Sequence, residues 1–222
     1  AKEYIKTYGV LVGKKPIIFT NNDTAYDLAI EFKKNGINSL VVDVRKKSNG
    51  ASVMEAKNLN INIKFSHAIV NTKGYKRVNS VTIGKLNKEK SGYESLESVF
   101  CDCVCVSGNW TPTVHLSSQS GNKLKFDDKI NAFIPNQSRQ NESTIGSANG
   151  SFTLKKALED GFSKGYELSN KITKKNLKSN PPTSNEKNKD LHDKFWCMPL
   201  PKNKHYKRCV DFQNDVYISD IE

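Results

Sequence analysis

The stretch Pro16–Thr20 reads PIIFT, and residues 39–44 read SLVVDV. Both runs are short and apolar, which is typical of buried strands. Between them a polar turn precedes apolar residues at helical spacing, namely Ala25, Leu28, Ala29 and Phe32. We expect Asp23 to cap the start of this helix and Gly36 to form its left-handed end. The order predicts a parallel βαβ unit with a right-handed connection.

The residues that follow predict a short helix, a β meander, a further buried strand and a long helix. The respective ranges are 51–59 for the helix, 61–65, 67–72 and 77–84 for the strands, 99–107 for the buried strand and 152–169 for the long helix. In the long helix Phe152, Ala157, Leu158 and Phe162 are the expected buried positions. A run of small and polar residues at 143–150 precedes it.

A strand, a tight turn, a helix and an acid about 20 residues later form the outline of a dinucleotide site. Asp43 would then be the ribose ligand. The glycine fingerprint is missing, however, because residues 20–25 read TNNDTA. A carboxylate at Asp23 would also repel a pyrophosphate at the helix N-terminus. Two interpretations remain: a structural βαβ unit without ligand, and a ribose site at Asp43. We expect residues 1–104 to bind no nicotinamide cofactor on their own.

The charge of the chain is strongly basic, with 35 Lys and Arg against 23 Asp and Glu and a net charge of +12. The lysines are spread along the chain with abundant Asn and Ile, which indicates a solvated surface rather than a nucleic-acid partner. No apolar run approaches the roughly 18 residues of a membrane span, and no secretion signal is present. We therefore expect a cytoplasmic protein without a membrane partner.

Three of the five cysteines, Cys101, Cys103 and Cys105, alternate along one expected strand. Alternation places their side chains on the same face, where they are expected to be buried apolar thiols. A zinc site with Cys197 or Cys209 lacks the usual ligand spacing. The sequence thus predicts no metal site.

The composition divides the chain into four expected segments. Residues 1–104 would form an inserted nucleotide-binding-like domain, and residues 105–170 the return to a first dinucleotide-binding domain. Residues 171–205 would be a linker, because residues 171–194 are rich in Lys, Asn, Ser and Pro. Residues 206–222 would open another domain. Neither end resembles a natural terminus, so an internal piece of a longer protein is expected.

The order of elements resembles the flavin-dependent disulfide reductases, a class of α/β fold with two FAD/NAD(P)-binding dinucleotide domains. The strand that returns the chain between those domains is matched here by Cys101, Asp102, Val106, Gly108 and Pro112. The later glycine turn is matched by Gly146, Ser147 and Ala148.

A closer resemblance is to the alpha-subunit family of heterotetrameric sarcosine oxidase. It is carried in order by the runs IIFTNND (17–23), VDVR (42–45), VSGNWTPTVHLSSQ (106–119), SGNKLKFD (120–127), IGSANGSF (145–152) and VDFQNDV (210–216). Asn109 and Asn122 stand where that family usually has glycine, and Cys209 stands where an aromatic residue is common. The resemblance covers nearly the whole chain.

The resemblance implies oxidation of the N-methyl group of sarcosine to give glycine, hydrogen peroxide and a formaldehyde equivalent that tetrahydrofolate captures. It implies NAD in the alpha subunit, FMN between alpha and beta, and FAD in the beta subunit, with gamma and delta subunits as further partners. The C-terminal half would resemble an aminomethyltransferase, of which residues 206–222 would be the beginning.

The expected cofactor-binding residues lie mainly at the glycine turn: Gly146, Ser147, Ala148 and Asn149, together with Gly108 and Asp43. Small residues before a helix let backbone N–H groups approach an anion; the alternative is an ordinary helix start. No catalytic residue is assigned. His115 is expected to make a structural hydrogen bond, and Trp110 to fill the junction between domains. The competing functions are a non-catalytic dinucleotide-fold scaffold and a subunit of a related amino or imino acid dehydrogenase.

Overall fold

The computed structural model describes residues 1–108, 110–173, 180–185, 198–199, 209–211, 216–217 and 220. Its centre is a parallel sheet of β1 (Pro16–Thr20), β2 (Leu40–Asp43), β3 (Asn62–Phe65) and β7 (Cys103–Ser107), in the order β3-β2-β1-β7. Helix α2 (Tyr26–Lys34) connects β1 to β2, and α3 (Ala51–Asn58) connects β2 to β3. The predicted βαβ unit is therefore confirmed, as is the left-handed Gly36 with φ of 76° after α2.

The parallel sheet is covered on both faces, which explains why its strands are almost continuously apolar. One face packs against α2, α3 and the N-terminal α1 (Lys2–Tyr8), with Ile18 and Val41 against Tyr26, Phe32 and Val53. The other face packs against the meander, and this second core contains Ile17, Val42, Val81, Ile83 and Cys101. Each fully buried aliphatic or aromatic side chain contributes about 1.5–3 kcal/mol.

The meander consists of β4 (His67–Gly74), β5 (Val78–Leu86) and β6 (Tyr93–Phe100), all antiparallel. The sequence prediction of a single strand over residues 99–107 is wrong. The chain leaves β6 at Phe100 and enters the parallel sheet only at Cys103. Between them the Asp102 carboxylate accepts the backbone N–H groups of Lys14 (2.7 Å) and Lys15 (2.8 Å), which fixes the change of sheet.

This break also corrects the placement of the cysteines. Cys101 lies in the core between the parallel sheet and the meander, whereas Cys105 packs toward the helices on the opposite face. Cys103 and Cys105 do share a face of β7, with their Sγ atoms 3.8 Å apart. Within the described residues no group of three or more potential metal ligands is found.

The second part of the chain contains α4 (His115–Gln119), the hairpin of β8 (Lys123–Asp127) and β9 (Ala132–Gln137), and α5 (Leu154–Thr173). The expected long helix is present, but it begins two residues later and ends four residues later than predicted. Its expected buried positions are half-buried. No described helix is long and apolar enough to cross a membrane.

The expected linker and final domain lie largely outside the described residues. Helix α5 occupies the first three linker residues, 171–173, and residues 180–183 are exposed. Further on, Met198 packs against the small core of Val44, Ala68 and Leu86. Two short antiparallel strands, β10 (Cys209–Asp211) and β11 (Val216–Tyr217), are described beyond it.

Candidate functional site

The carboxyl edge of the parallel sheet is the first candidate site, because open α/β sheets bind ligands where the strand order reverses. Here that point lies between β1 and β7. Asn22 fills it and is fully buried. Its Nδ2 donates to the carbonyl oxygens of Gly108 (2.6 Å) and Ser107 (3.3 Å). The side chain thus ties the ends of the two strands together at the place a pyrophosphate would occupy, so residues 20–25 do not fit a dinucleotide.

Asn22, and not Asp23, caps the turn that leads into α2. Its Oδ1 accepts the Thr24 N–H at 3.0 Å and the Thr24 hydroxyl at 2.5 Å. The expectation that Asp23 caps the helix is wrong, because its carboxylate turns toward the residues that follow β2. Asn and Asp are equally good caps, so the sequence alone did not distinguish the two.

Asp23 belongs to a buried ionic cluster that we call the Arg45 cluster: Tyr26, Asp23, Asp43, Arg45 and Ser48. Arg45 Nη1 lies 2.8 Å from Asp23 Oδ1, and Arg45 Nη2 lies 2.8 Å from Asp43 Oδ2. The Tyr26 hydroxyl donates to Asp43 at 2.7 Å, and the Ser48 hydroxyl donates to Asp23 at 2.9 Å. Both carboxylates are fully buried.

The electrostatics of the cluster keep Arg45 charged and Tyr26 neutral. Burial opposes the charge of Arg45, but the hydrogen bonds and charges of Asp43 and Asp23 outweigh it and raise the pKa of the guanidinium. Burial and the neighbouring Asp43 carboxylate raise the pKa of the Tyr26 hydroxyl far above its ordinary value. Two carboxylates therefore share one cation in a site shielded from water.

Asp43 consequently faces the interior of the protein and not a ligand. Its carboxylate accepts bonds from the Tyr26 hydroxyl, the Arg45 backbone N–H and the Arg45 side chain. A ribose hydroxyl would have to displace these donors, so the structure does not support Asp43 as a ribose ligand. The signal that the sequence analysis missed is Arg45, which stands two residues after Asp43 in the VDVR run.

Gly108, Trp110 and His115 lie at and beyond the end of β7. The carbonyl of Gly108 accepts from Asn22, and a side chain at Gly108 would meet open space. Trp110 is half-exposed, and its Nε1 donates to the Thr24 hydroxyl at 3.2 Å. His115 begins α4, and its side chain is exposed without a hydrogen bond to the described residues. The expected structural hydrogen bond of His115 is therefore not found.

The glycine turn, residues 146–150, is the second candidate site. Gly146–Asn149 form a short 3₁₀ turn, closed by bonds from the Gly150 N–H to Ser147 and from the Ser151 N–H to Gly146. The turn is separated from α5, which begins only at Leu154. The turn precedes the long helix, as the sequence predicts, and Gly150 in the left-handed conformation (φ 84°) ends it.

An open groove of about 420 Å³ lies beside this turn, between β9, α5 and residues 142–145. Of the expected site residues Asn149 lines it, whereas Ser147 is exposed outside it. The lining is mostly hydroxyl, amide and charged groups, namely Asn122, Asn136, Ser138, Glu142, Ser143, Thr144, Asn149, Asp160, Ser163 and Lys164. Groups of this kind donate and accept hydrogen bonds, as a polyhydroxyl ligand such as the sugar part of a dinucleotide requires.

Two relatives among curated proteins are sarcosine oxidase alpha subunits. The chain is 28% identical over 166 residues to that of Corynebacterium sp. strain P-1, covering 74% of this chain and 17% of that protein. It is 26% identical over 225 residues to that of Rhizobium meliloti strain 1021, covering 99% of this chain and 21% of that protein. The resemblance stated from the sequence is confirmed, and the chain spans about a fifth of the length of these relatives. No family model matches the chain.

Two of the solved structures that resemble the chain are thioredoxin reductases. Thioredoxin reductase of T. acidophilum superimposes with a TM-score of 0.56 at 17% identity, covering 74% of this chain and 55% of that one. Thioredoxin reductase of Lactococcus lactis gives 0.55 at 13% identity, covering 72% and 54%. These similarities confirm the disulfide-reductase type of α/β fold.

Proposed function

We propose that this chain is part of the alpha subunit of a sarcosine oxidase-type oxidoreductase. The complex would oxidise the N-methyl group of sarcosine, giving glycine, hydrogen peroxide and either methylene-tetrahydrofolate or formaldehyde. The observation that carries the proposal is the similarity to sarcosine oxidase alpha subunits over 99% of the chain, spanning both the parallel-sheet unit and the part that follows it.

Within that subunit residues 1–104 would act as a rigid support without a nicotinamide cofactor of their own. Asn22 fills the point where the strand order reverses, and the Arg45 cluster uses up the Asp43 carboxylate. In both arrangements, protein groups occupy positions that a bound dinucleotide would need. Titration of the protein with NAD or NADH tests this, and micromolar binding that is lost on Asp43→Ala would contradict it.

The dinucleotide contact of this chain would lie at the glycine turn and the groove beside it. The helix-dipole argument does not apply to a four-residue turn, so the proposal rests on the polar lining and on Asn149. NAD in the alpha subunit would be the dinucleotide. The side chains of the groove would orient its sugar hydroxyls, and the glycine turn would let its phosphates approach the backbone.

The partners and remaining cofactors follow from the same similarity. Beta, gamma and delta subunits would complete the complex, with FMN between alpha and beta and FAD in beta. These flavins would accept the hydride equivalents removed from the amine. Tetrahydrofolate would bind an aminomethyltransferase-like domain, and the complex would be cytoplasmic.

The direct test is a substrate assay on the full-length subunit purified with its partner subunits. We expect sarcosine to drive oxygen consumption and peroxide formation in equal amounts, and added tetrahydrofolate to reduce the release of formaldehyde. A related amino or imino acid dehydrogenase would instead oxidise its own substrate with an artificial electron acceptor and form no peroxide. Such a result with sarcosine inactive would refute the proposal.

The groove is tested separately by replacing Asn149. Asn149→Ala should lower the dinucleotide content of the purified complex, because it removes an amide from the groove lining. Asn141→Ala is the matched control, since Asn141 is exposed and lies outside the groove. Equal dinucleotide content in both variants would remove the groove from the cofactor site.

The scaffold interpretation is favoured by one observation, the closure of the β1–β7 edge by Asn22. It predicts a purified complex in which no dinucleotide is attributable to this subunit. Cofactor analysis by mass spectrometry after denaturation distinguishes it from the sarcosine oxidase-type function.

A further inference from the structure

Cys103 and Cys105 form a pair of thiols that neither the cofactor site nor the ionic cluster uses. They lie on one face of β7, with their Sγ atoms 3.8 Å apart. Both side chains are half-buried, whereas Cys101 is fully buried in the core beneath the meander. The pair is therefore more accessible than Cys101.

The spacing of the pair is at the limit of what a disulfide tolerates. Cα atoms two residues apart along a strand are separated by about 6.6–6.8 Å. The Cα atoms of two disulfide-bonded cysteines are about 4.4–6.8 Å apart. The sulfur atoms must approach by about 1.8 Å to reach the bond length of roughly 2.0 Å. Because a disulfide also needs about 3.5–4.5 Å between Cβ atoms, the strand would have to shorten locally by about 2 Å at Cys103–Cys105. A disulfide strained in this way is readily reduced.

We propose that Cys103 and Cys105 are a reversible oxidation site for hydroperoxides. The oxidant would be hydrogen peroxide, and its local source would be the amine oxidation of the proposed function. Oxidation by added peroxide is independent of that source.

The reaction balances with one peroxide for each pair of thiols. The Cys103 thiolate attacks one peroxide oxygen, the O–O bond breaks, and Cys103 becomes a sulfenic acid; the hydroxide that leaves takes up the proton lost by the Cys103 thiol and becomes one water. Cys105 then attacks the Cys103 sulfur, the S–O bond breaks, and the released hydroxide takes up the thiol proton as a second water. The two thiols lose two electrons, which reduce the peroxide.

The order of these steps follows from the surroundings of Cys105. Burial, together with the neighbouring Cys103, raises the pKa of the Cys105 thiol to about 12. Cys105 therefore remains protonated at neutral pH, and Cys103 is the first nucleophile. Since the second step needs the Cys105 thiolate, disulfide formation should become faster as the pH rises.

The experiment treats the reduced full-length protein, carrying Cys197→Ser and Cys209→Ser, with hydrogen peroxide. We expect a loss of about 2 Da that dithiothreitol reverses, and tandem mass spectrometry should place the bond between Cys103 and Cys105. Cys101 is the internal control and should remain alkylatable after denaturation. Cys103→Ser and Cys105→Ser should each abolish the loss of 2 Da.

The proposal is overturned if peroxide leaves both thiols free, if the bond includes Cys101, or if it joins two protein molecules. The same assay needs no sarcosine, so a positive result stands even if the sarcosine oxidase assay fails. A negative result likewise leaves the proposed catalytic function untouched.

Discussion

Replacing Arg45 with Met should destabilise the protein more than any change at an exposed charge. Arg45 is the cation for two fully buried carboxylates, with a 2.8 Å contact to each. Removing one partner of such a buried group leaves charge without compensation, which costs about 3–5 kcal/mol. For a chain of this size 1 kcal/mol corresponds to about 2–4 °C in Tm, so the expected loss is about 6–20 °C.

The assay is urea unfolding at pH 7, followed by circular dichroism, with Lys2→Met as the matched control. Lys2 lies 3.5 Å from Asp27 with about half of its side chain exposed (47%), and such surface pairs contribute about 0–1 kcal/mol. A triple variant, Arg45→Met with Asp23→Asn and Asp43→Asn, should be more stable than Arg45→Met alone, because it leaves no buried charge unpaired.

The triple variant provides a second check on the same reasoning. The triple variant keeps the volume of the cluster while removing its charges, so its free energy of unfolding should lie between those of Arg45→Met and the unmodified protein. If Arg45→Met and Lys2→Met have similar free energies of unfolding, or if the triple variant is the least stable, the cluster does not stabilise the fold as argued.

Three further predictions concern the same half of the chain. Gly50→Ala should destabilise the protein by about 1–3 kcal/mol, because the new Cβ would overlap the Asp23 carboxylate. Gly108→Ala places its Cβ in open space and should leave the stability almost unchanged. Thermal unfolding of the two variants tests this difference. Asp102→Asn should cost about 1–2 kcal/mol at pH 7. Partial burial raises the pKa of Asp102, but two backbone N–H donors outweigh burial and lower the pKa. The stabilisation is therefore present above the ordinary aspartate pKa of about 3.9, and it is lost as the pH falls below that value. A penalty that grows toward pH 3 would contradict the assignment. Asn22→Ala should lower Tm, because it removes the donor to β7, and calorimetry should find no NAD binding beyond that of the unmodified protein.

The parallel sheet could be predicted from sequence because its signals are local. The run PIIFT and the residues LVVD are apolar enough to be buried on both faces, and helical spacing between them requires a crossover. The break at Cys101 could not be predicted in this way. It depends on Asp102 bonding to backbone groups of Lys14 and Lys15, which lie 88 and 87 residues earlier in the chain.

The candidate site shows the same division between local and long-range determinants. The glycine turn was visible as a run of small residues, but its separation from α5 depends on the left-handed Gly150 and on the residues up to Leu154. The groove combines hairpin, turn and helix residues that share no local pattern. The sequence prediction assigned the cap to Asp23 and not to Asn22, because either side chain can cap a helix. Only the position of Arg45 decides which one does so.

The Arg45 cluster gives a physical reason why a dinucleotide-type fold can lack its usual ligand edge. A nucleotide-binding sheet presents N–H groups and a carboxylate to the ligand at the ends of β1 and β2. In this chain Asn22 joins the end of β1 to β7, and Arg45 pairs with Asp23 and Asp43. These side chains are therefore bonded within the protein, where they stabilise the fold. The dinucleotide contact proposed for this chain accordingly lies in its other described half, where the glycine turn adjoins the polar groove.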